Sequence, residues 1–112
     1  MGTPHAIVRR LREKGTSLSV GLISADLMAL GADVAQLERS GVGLAHFDVV
    51  DGYYAPMLTV GPPFIKAVKT EMLKDVHLMV REPLASLADY LAAHRPTLNT
   101  ITIGLRHLRY LI

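Results

Sequence analysis

The stretch Leu44–Val50, with the sequence LAHFDVV, has the length and composition of a β-strand. Successive side chains of a strand point to opposite faces of its sheet. His46 and Asp48 therefore share one face, while Phe47 and Val49 share the other. An imidazole and a carboxylate thus point together near the C-terminal end of this strand.

The segments on either side of this strand alternate between helical and extended patterns. Short connections between strands and helices in such an alternation indicate a parallel sheet with right-handed crossovers. The predicted strands are Leu18–Ile23, Leu44–Val50, Asp75–Val80 and Thr100–Ile103. The predicted helices are Pro4–Lys14, one capped by Ser24 and running to Arg39, one from Pro63 to Leu73, one that begins at Pro83, and Leu105–Ile112. The helix that begins at Pro83 is expected to bury Leu84, Leu87, Tyr90 and Leu91.

Two architectures satisfy this alternation, an open doubly wound sheet and a (β/α)₈ barrel. A doubly wound nucleotide-binding fold usually has a glycine-rich phosphate turn after its first strand. Here Ser24, Ala25 and Asp26 occupy that position, so the barrel is favoured. The fold class is therefore α/β, a partial TIM (β/α)₈ barrel of about four βα units with an N-terminal extension helix, because a complete barrel needs about 250 residues.

The strand after the next helix repeats the polar arrangement, with Asp75, His77 and Met79 on one face. Sequential parallel strands usually lie beside each other, and barrels place their active sites at the C-terminal ends of the strands. His46, Asp48 and His77 are therefore expected to converge. Two imidazoles and a carboxylate suit Zn²⁺, Fe²⁺ or Mn²⁺, and the absence of cysteine excludes a thiolate site.

Four motifs, taken in order and with their spacing, resemble the ribulose-phosphate 3-epimerase family. The resemblance runs from about Ser17 to Ile103, most of this chain and about half of the family's barrel. The motifs are LISAD at Leu22–Asp26, HFDVVDG at His46–Gly52, PMLTVGPP at Pro56–Pro63 and DVHLM at Asp75–Met79.

The resemblance implies epimerisation at C3 between ribulose 5-phosphate and xylulose 5-phosphate through a metal-stabilised enediolate. By it, His46, Asp48 and His77 match metal ligands, and Asp48 also matches one of two acid/base aspartates. His46, His77 and Met79 are expected to contact the substrate. The family's second aspartate, which is also its fourth metal ligand, lies in its later half, and no position of this sequence matches it.

Several positions depart from the family's usual residues. Gly21 replaces a serine that touches substrate, and Val50 replaces a methionine. Tyr53, Tyr54 and Met57 stand where the family usually has His, Phe and Asn. These changes leave allulose 6-phosphate, or a four-carbon ketose phosphate, as alternative substrates.

Length and composition set the remaining expectations. The sequence has 112 residues, 50% hydrophobic and 20% charged, which is ordinary globular composition. A net charge of +2, concentrated near the two ends, argues against a nucleic-acid partner, and no apolar run reaches the roughly 20 residues of a membrane span. The lack of cysteine fits a cytoplasmic protein.

We expect two parts in this chain, an N-terminal extension helix over residues 1–16 and a truncated ribulose-phosphate-binding barrel half over residues 17–112. Four βα units leave open strand edges that tend to pair with another chain. A homo-oligomer paired through these edges is therefore expected, and activity of this chain alone is not. The rival hypothesis is a non-catalytic half-barrel that serves as an assembly or metal-binding module.

Overall fold

The computed structural model describes Arg9, residues 11–93 and residues 98–103, and it shows an α/β arrangement built on one open parallel sheet. Its four strands are hydrogen-bonded in sequence order. In the described part, no helix is long and apolar enough to cross a membrane. The strands are β1 (Ser19–Gly21), β2 (Leu44–Val50), β3 (Leu73–Met79) and β4 (Leu98–Ile103), and the helices are α1 (Leu30–Arg39), α2 (Pro62–Ala67) and α3 (Pro83–Ala93).

One face of the sheet packs against the helices and forms the core. Phe47 and Val49 of β2 are 0% and 2% exposed, which confirms the alternation predicted for this strand. The Phe47 ring meets Phe64 of α2 edge to face, with ring centroids 6.2 Å apart. Val76 and Leu78 of β3 are completely buried in the same layer. Because the helices cover this face, the polar residues of β2 and β3 lie on the opposite face of the sheet.

A buried lysine is part of this core. Lys74 on β3 is 4% exposed, and its Nζ donates a hydrogen bond to the carbonyl of Ile65 in α2 at 2.6 Å. Burial lowers the pKa of Lys74, and the positive charge of Lys69 lowers it further. Since the ammonium lies on the helix side of the sheet, it faces away from the polar face.

The start of α1 differs from the sequence prediction. The helix begins at Leu30 and not after Ser24, because Leu22–Ser24 forms a 3₁₀ turn that also shortens β1 to Ser19–Gly21. Asp26 then folds the chain into a turn: its carboxylate accepts the N–H of Met28 at 3.0 Å, and its carbonyl accepts the N–H of Ala29 at 3.0 Å. Ala29 is the N-cap and makes no side-chain cap, so the capping role predicted for Ser24 is wrong.

The second helix is shorter than its apolar pattern predicts. It ends at Ala67, because Val68 adopts an extended conformation, and β3 already begins at Leu73. Val68 and Met72 are nevertheless buried in the core. Their hydrophobic spacing reflects burial in a connecting segment, which periodicity alone does not separate from a helix.

The buried side of α3 also needs correction. Pro83, Leu87 and Tyr90, at positions i, i+4 and i+7, form the inward stripe. Leu84 and Leu91 were predicted to be buried, but they are 57% and 38% exposed, because they lie beside this stripe.

Several predictions fall on residues that the structure does not describe. The predicted N-terminal helix is described at Arg9 and at residues 11–14, which are helical. The predicted helix over Leu105–Ile112 lies outside the described residues. The division into an extension and a barrel half at residue 17 stays a prediction.

Candidate metal centre

The register of the parallel strands brings the predicted site residues together. Gly21 of β1 lies opposite His46 of β2, and His46 lies opposite Asp75 of β3. Two residues further along, Asp48 lies opposite His77. Because side chains two positions apart share a face, all of these positions face the side of the sheet away from the helices.

The carboxylate of Asp48 is the point at which the two imidazoles meet. Its Oδ1 lies 3.1 Å from Nε2 of His46 and 3.3 Å from Nδ1 of His77. One ligand atom from each of the three residues lies within 4.8 Å of the other two, and the histidine ring centroids are 6.1 Å apart. The predicted convergence of His46, Asp48 and His77 is therefore present in the structure.

These separations fit a divalent metal. Bonds of about 2.0–2.1 Å in a tetrahedral zinc site place neighbouring donor atoms about 3.3 Å apart. The separations of Asp48 Oδ1 from the two imidazole nitrogens, 3.1 and 3.3 Å, are close to that value. The side chains are 24% to 32% exposed, so an ion and a substrate can reach them from the open face. Two imidazoles and a carboxylate can thus hold Zn²⁺, Fe²⁺ or Mn²⁺ with coordination positions to spare.

The electrostatics of the cluster favour positive charge at His46. Partial burial is the largest influence on this ring and lowers its pKa. Hydrogen bonds to Asp75 and Asp48, together with the negative charges of both carboxylates, outweigh that effect, so the pKa of His46 lies above its usual value. The same negative charges attract a metal cation.

Asp75 also contacts this site, although the sequence alone gave it no role. Its Oδ2 lies 2.7 Å from Nδ1 of His46, a shorter distance than those from Asp48 Oδ1 to the two imidazoles. The alternation of β3 placed Asp75 on the correct face. Its position directly opposite His46 is set by strand register, which a single sequence does not reveal.

The end of β2 is held by a side chain from the following loop. Leu44 donates its N–H to Leu18 at the start of the β1–β2 pairing, and that pairing ends at His46. Further along this edge, the Thr59 hydroxyl donates to the carbonyl of Asp48 at 2.6 Å and accepts the N–H of Val50 at 2.9 Å. Thr59 therefore replaces the missing strand partner just where β2 carries Asp48.

Asp51, the next carboxylate after Asp48, has a structural role. Its oxygens accept the backbone N–H groups of Tyr53, Tyr54 and Arg81, at 2.9, 3.0 and 2.7 Å. The bonds from Tyr54 and Arg81 are the main cause of its lowered pKa. Gly52 follows with a φ of 82°, which favours glycine. Asp51 and Gly52 thus form a turn, and Asp51 also connects the loops that follow β2 and β3 to each other.

Two further positions from the sequence analysis line the same face. Met79 shares the face of His77, lies opposite Val50 and is partly buried. Its contact with a substrate stays a prediction. At Gly21, which lies opposite His46, an added Cβ would have no neighbouring atom within 4 Å, so open space adjoins His46.

Comparisons with known proteins point to the same family as the motifs. The profile of the Ribulose-phosphate 3 epimerase family matches residues 17–109. The ribulose-phosphate 3-epimerase of Bacillus subtilis (strain 168) is 42% identical over 64 residues, which cover 55% of this chain and 30% of that protein. The corresponding protein of Treponema pallidum (strain Nichols) is 39% identical over 83 residues, covering 72% of this chain and 38% of that protein.

A third relative extends the comparison. The ribulose-phosphate 3-epimerase of Escherichia coli (strain K12) is 37% identical over 79 residues, covering 68% of this chain and 35% of that protein. The chain thus spans about a third of the length of the curated relatives that it matches.

Proposed function

Because the chain belongs to the ribulose-phosphate 3-epimerase family, we propose that it carries the metal-binding part of an epimerase site for a ketose phosphate. The substrate class is D-ribulose 5-phosphate and D-xylulose 5-phosphate, which differ in configuration at C3. The convergence of His46 Nε2, His77 Nδ1 and Asp48 Oδ1 is the observation that supports this function most directly.

In this proposal each residue has a defined task. His46 and His77 would hold the divalent cation through ring nitrogens, and Asp48 would hold it through a carboxylate oxygen. The bound cation would stabilise the negative charge that forms on the ketone oxygen when the adjacent C3 proton is removed. Asp48 takes that C3 proton and returns it. Met79, on the same face of β3 as His77, contacts the sugar.

The chain is expected to transfer a proton on only one face of C3. Inversion at C3 requires removal of a proton on one face of the carbon and its return on the other. Asp48 can act on one face only, and among the described residues the nearby Asp51 is occupied by backbone N–H groups. We assign the full epimerisation to a complete (β/α)₈ barrel, because this chain spans about a third of the length of its relatives.

Hydrogen exchange at C3 tests this one-sided chemistry. We expect the metal-loaded chain in D₂O to exchange the C3 proton of one of the two pentulose phosphates, as measured by ¹H NMR, without converting it to the other. Asp48→Asn should abolish the exchange, while Asp89→Asn, which removes the same charge on α3, should not. Exchange no faster than with the metal alone would contradict the proposed role of Asp48.

A coupled epimerase assay on the same samples separates the outcomes further. Turnover above the metal-only blank would overturn the expectation that this chain serves one face. Repeating the exchange with allulose 6-phosphate distinguishes the alternative substrate, because a faster exchange there would replace the pentulose phosphates in the proposal.

A second candidate function is an assembly module, and the outer edge of β1 favours it. Within the described residues β1 pairs with β2 alone, so its other edge has no strand partner. Exposed strand edges tend to pair with a second chain, and a dimer of half-barrels would cover them. Size-exclusion chromatography with light scattering tests this, with a dimer or larger species expected. A monomer at all concentrations would contradict pairing through the edges.

A further inference from the structure

We propose that Asp75 is a positioning residue that orients His46 for metal binding, an inference that rests on the proposed metal site. Asp75 binds one nitrogen of the imidazole ring, and the metal is to bind the other. The arrangement is a carboxylate–histidine–metal relay, in which the carboxylate fixes the ring and its tautomer.

The two nitrogens of His46 have different surroundings. Nδ1 lies 2.7 Å from Asp75 Oδ2, whereas Nε2 lies 3.1 Å from Asp48 Oδ1. A neutral imidazole carries its proton on one nitrogen and a lone pair on the other. Both partners are carboxylates, and the contact to Asp75 is 0.4 Å shorter, so the stronger hydrogen bond, and with it the proton of the neutral ring, is expected at Nδ1. The lone pair of Nε2 then points at Asp48, towards the position where the three ligand atoms converge.

Asp75 lies outside the ligand cluster itself. The three residues whose ligand atoms converge are His46, Asp48 and His77. Asp75 contacts the ring of His46 through Nδ1, whereas the cluster contacts it through Nε2. A metal held by Nε2 is therefore separated from Asp75 by the imidazole ring, which makes Asp75 a partner of the ligand and not a ligand.

The fold holds Asp75 more firmly than a loop would. The carboxylate comes from β3, directly opposite His46 in the strand register. Its side chain is 18% exposed, compared with 32% for Asp48. The pairing of β3 with β4 shifts register between Lys74 and Asp75, and such irregularities change the direction in which a side chain points. These features place a carboxylate at Nδ1 before any metal binds.

Metal affinity measures this role without reference to catalysis. We expect competition titrations with Co²⁺ and Zn²⁺ to show about 10- to 100-fold weaker binding for Asp75→Ala than for the unaltered chain, the range found for such partners of metal-bound histidine. Asp75→Asn keeps an oxygen that can accept the Nδ1 proton and should lose less. Asp89→Asn is the control for loss of one negative charge and should bind as tightly as the unaltered chain.

The tautomer of His46 provides a readout that needs no metal. Above the pKa of His46, ¹⁵N chemical shifts of its ring should show a proton on Nδ1 in the unaltered chain and in Asp75→Asn. Asp75→Ala should shift the proton towards Nε2, because Asp48 Oδ1 remains there as an acceptor at 3.1 Å. Circular dichroism confirms that each variant is folded before either measurement.

The outcomes separate this inference from the proposed site. If His46→Ala abolishes binding but Asp75→Ala binds as tightly as the unaltered chain, Asp75 does not position the ring, and the metal site stands. If the unaltered chain binds no metal, the metal site fails and the inference fails with it. An unchanged tautomer in Asp75→Ala would also overturn the inference.

Discussion

The hydroxyl of Thr59 is predicted to stabilise the end of β2 that carries Asp48. Thr59→Val keeps the shape of the side chain and removes only its hydrogen bonds to the Asp48 carbonyl and the Val50 N–H. Each bond contributes about 0.5–1.5 kcal/mol net, and because this edge is partly open to water the sum should lie at the lower end, about 1–2 kcal/mol. The unfolding temperature should fall by about 4–8 °C for each kcal/mol lost in a chain of this size.

Urea denaturation followed by circular dichroism measures the loss. With an m-value of about 1–1.5 kcal/mol/M, the midpoint of Thr59→Val should fall by about 1 M. Thr59→Ser retains the hydroxyl and is the matched control, so its midpoint should stay close to that of the unaltered chain. Equal midpoints for Thr59→Val and the unaltered chain, or an equal loss in Thr59→Ser, would refute the role given to the hydroxyl.

Three further predictions concern the turn, the core and the open side of the site. Backbone N–H groups of Tyr54 and Arg81 lower the folded-state pKa of Asp51, so its stabilising effect is present above its usual pKa and is lost as the pH falls through the lowered value. Urea midpoints between pH 6 and pH 2 should therefore fall less steeply in Asp51→Asn, and parallel curves would contradict this. Phe47→Ala should cost about 3–5 kcal/mol in the same assay, because the ring is completely buried; a loss below about 1 kcal/mol would be inconsistent with its packing. Gly21→Ser should change the free energy of unfolding by less than about 1 kcal/mol, since no atom lies near the added Cβ, and a larger loss in the same assay would contradict the open space described at Gly21.

Local sequence patterns were sufficient to predict the elements that carry the site. The strand Leu44–Val50 has the predicted bounds, because its two faces meet different environments and the alternation is therefore clear. The convergence of His46, Asp48 and His77 also followed, since strand alternation and the order of parallel strands determine which side chains meet. The sequence motifs supplied the family, which the comparison over residues 17–109 confirms.

The features that the sequence reasoning missed depend on local competition or on register. The helix α1 starts late because the Asp26 side chain and carbonyl form a turn with Met28 and Ala29, an alternative to helix that a short polar residue offers. Asp75 remained without a role because its position opposite His46 depends on strand register. Met72 is buried at a spacing typical of a helix, although it lies in the connection between α2 and β3.

Isothermal titration with Zn²⁺ tests whether His46, Asp48 and His77 form one metal site. We expect one tightly bound Zn²⁺ per unaltered chain and no such binding in the His46→Ala, His77→Ala double variant, with circular dichroism showing both proteins to be folded. Equal Zn²⁺ binding by the two proteins would show that these three residues do not form the metal site.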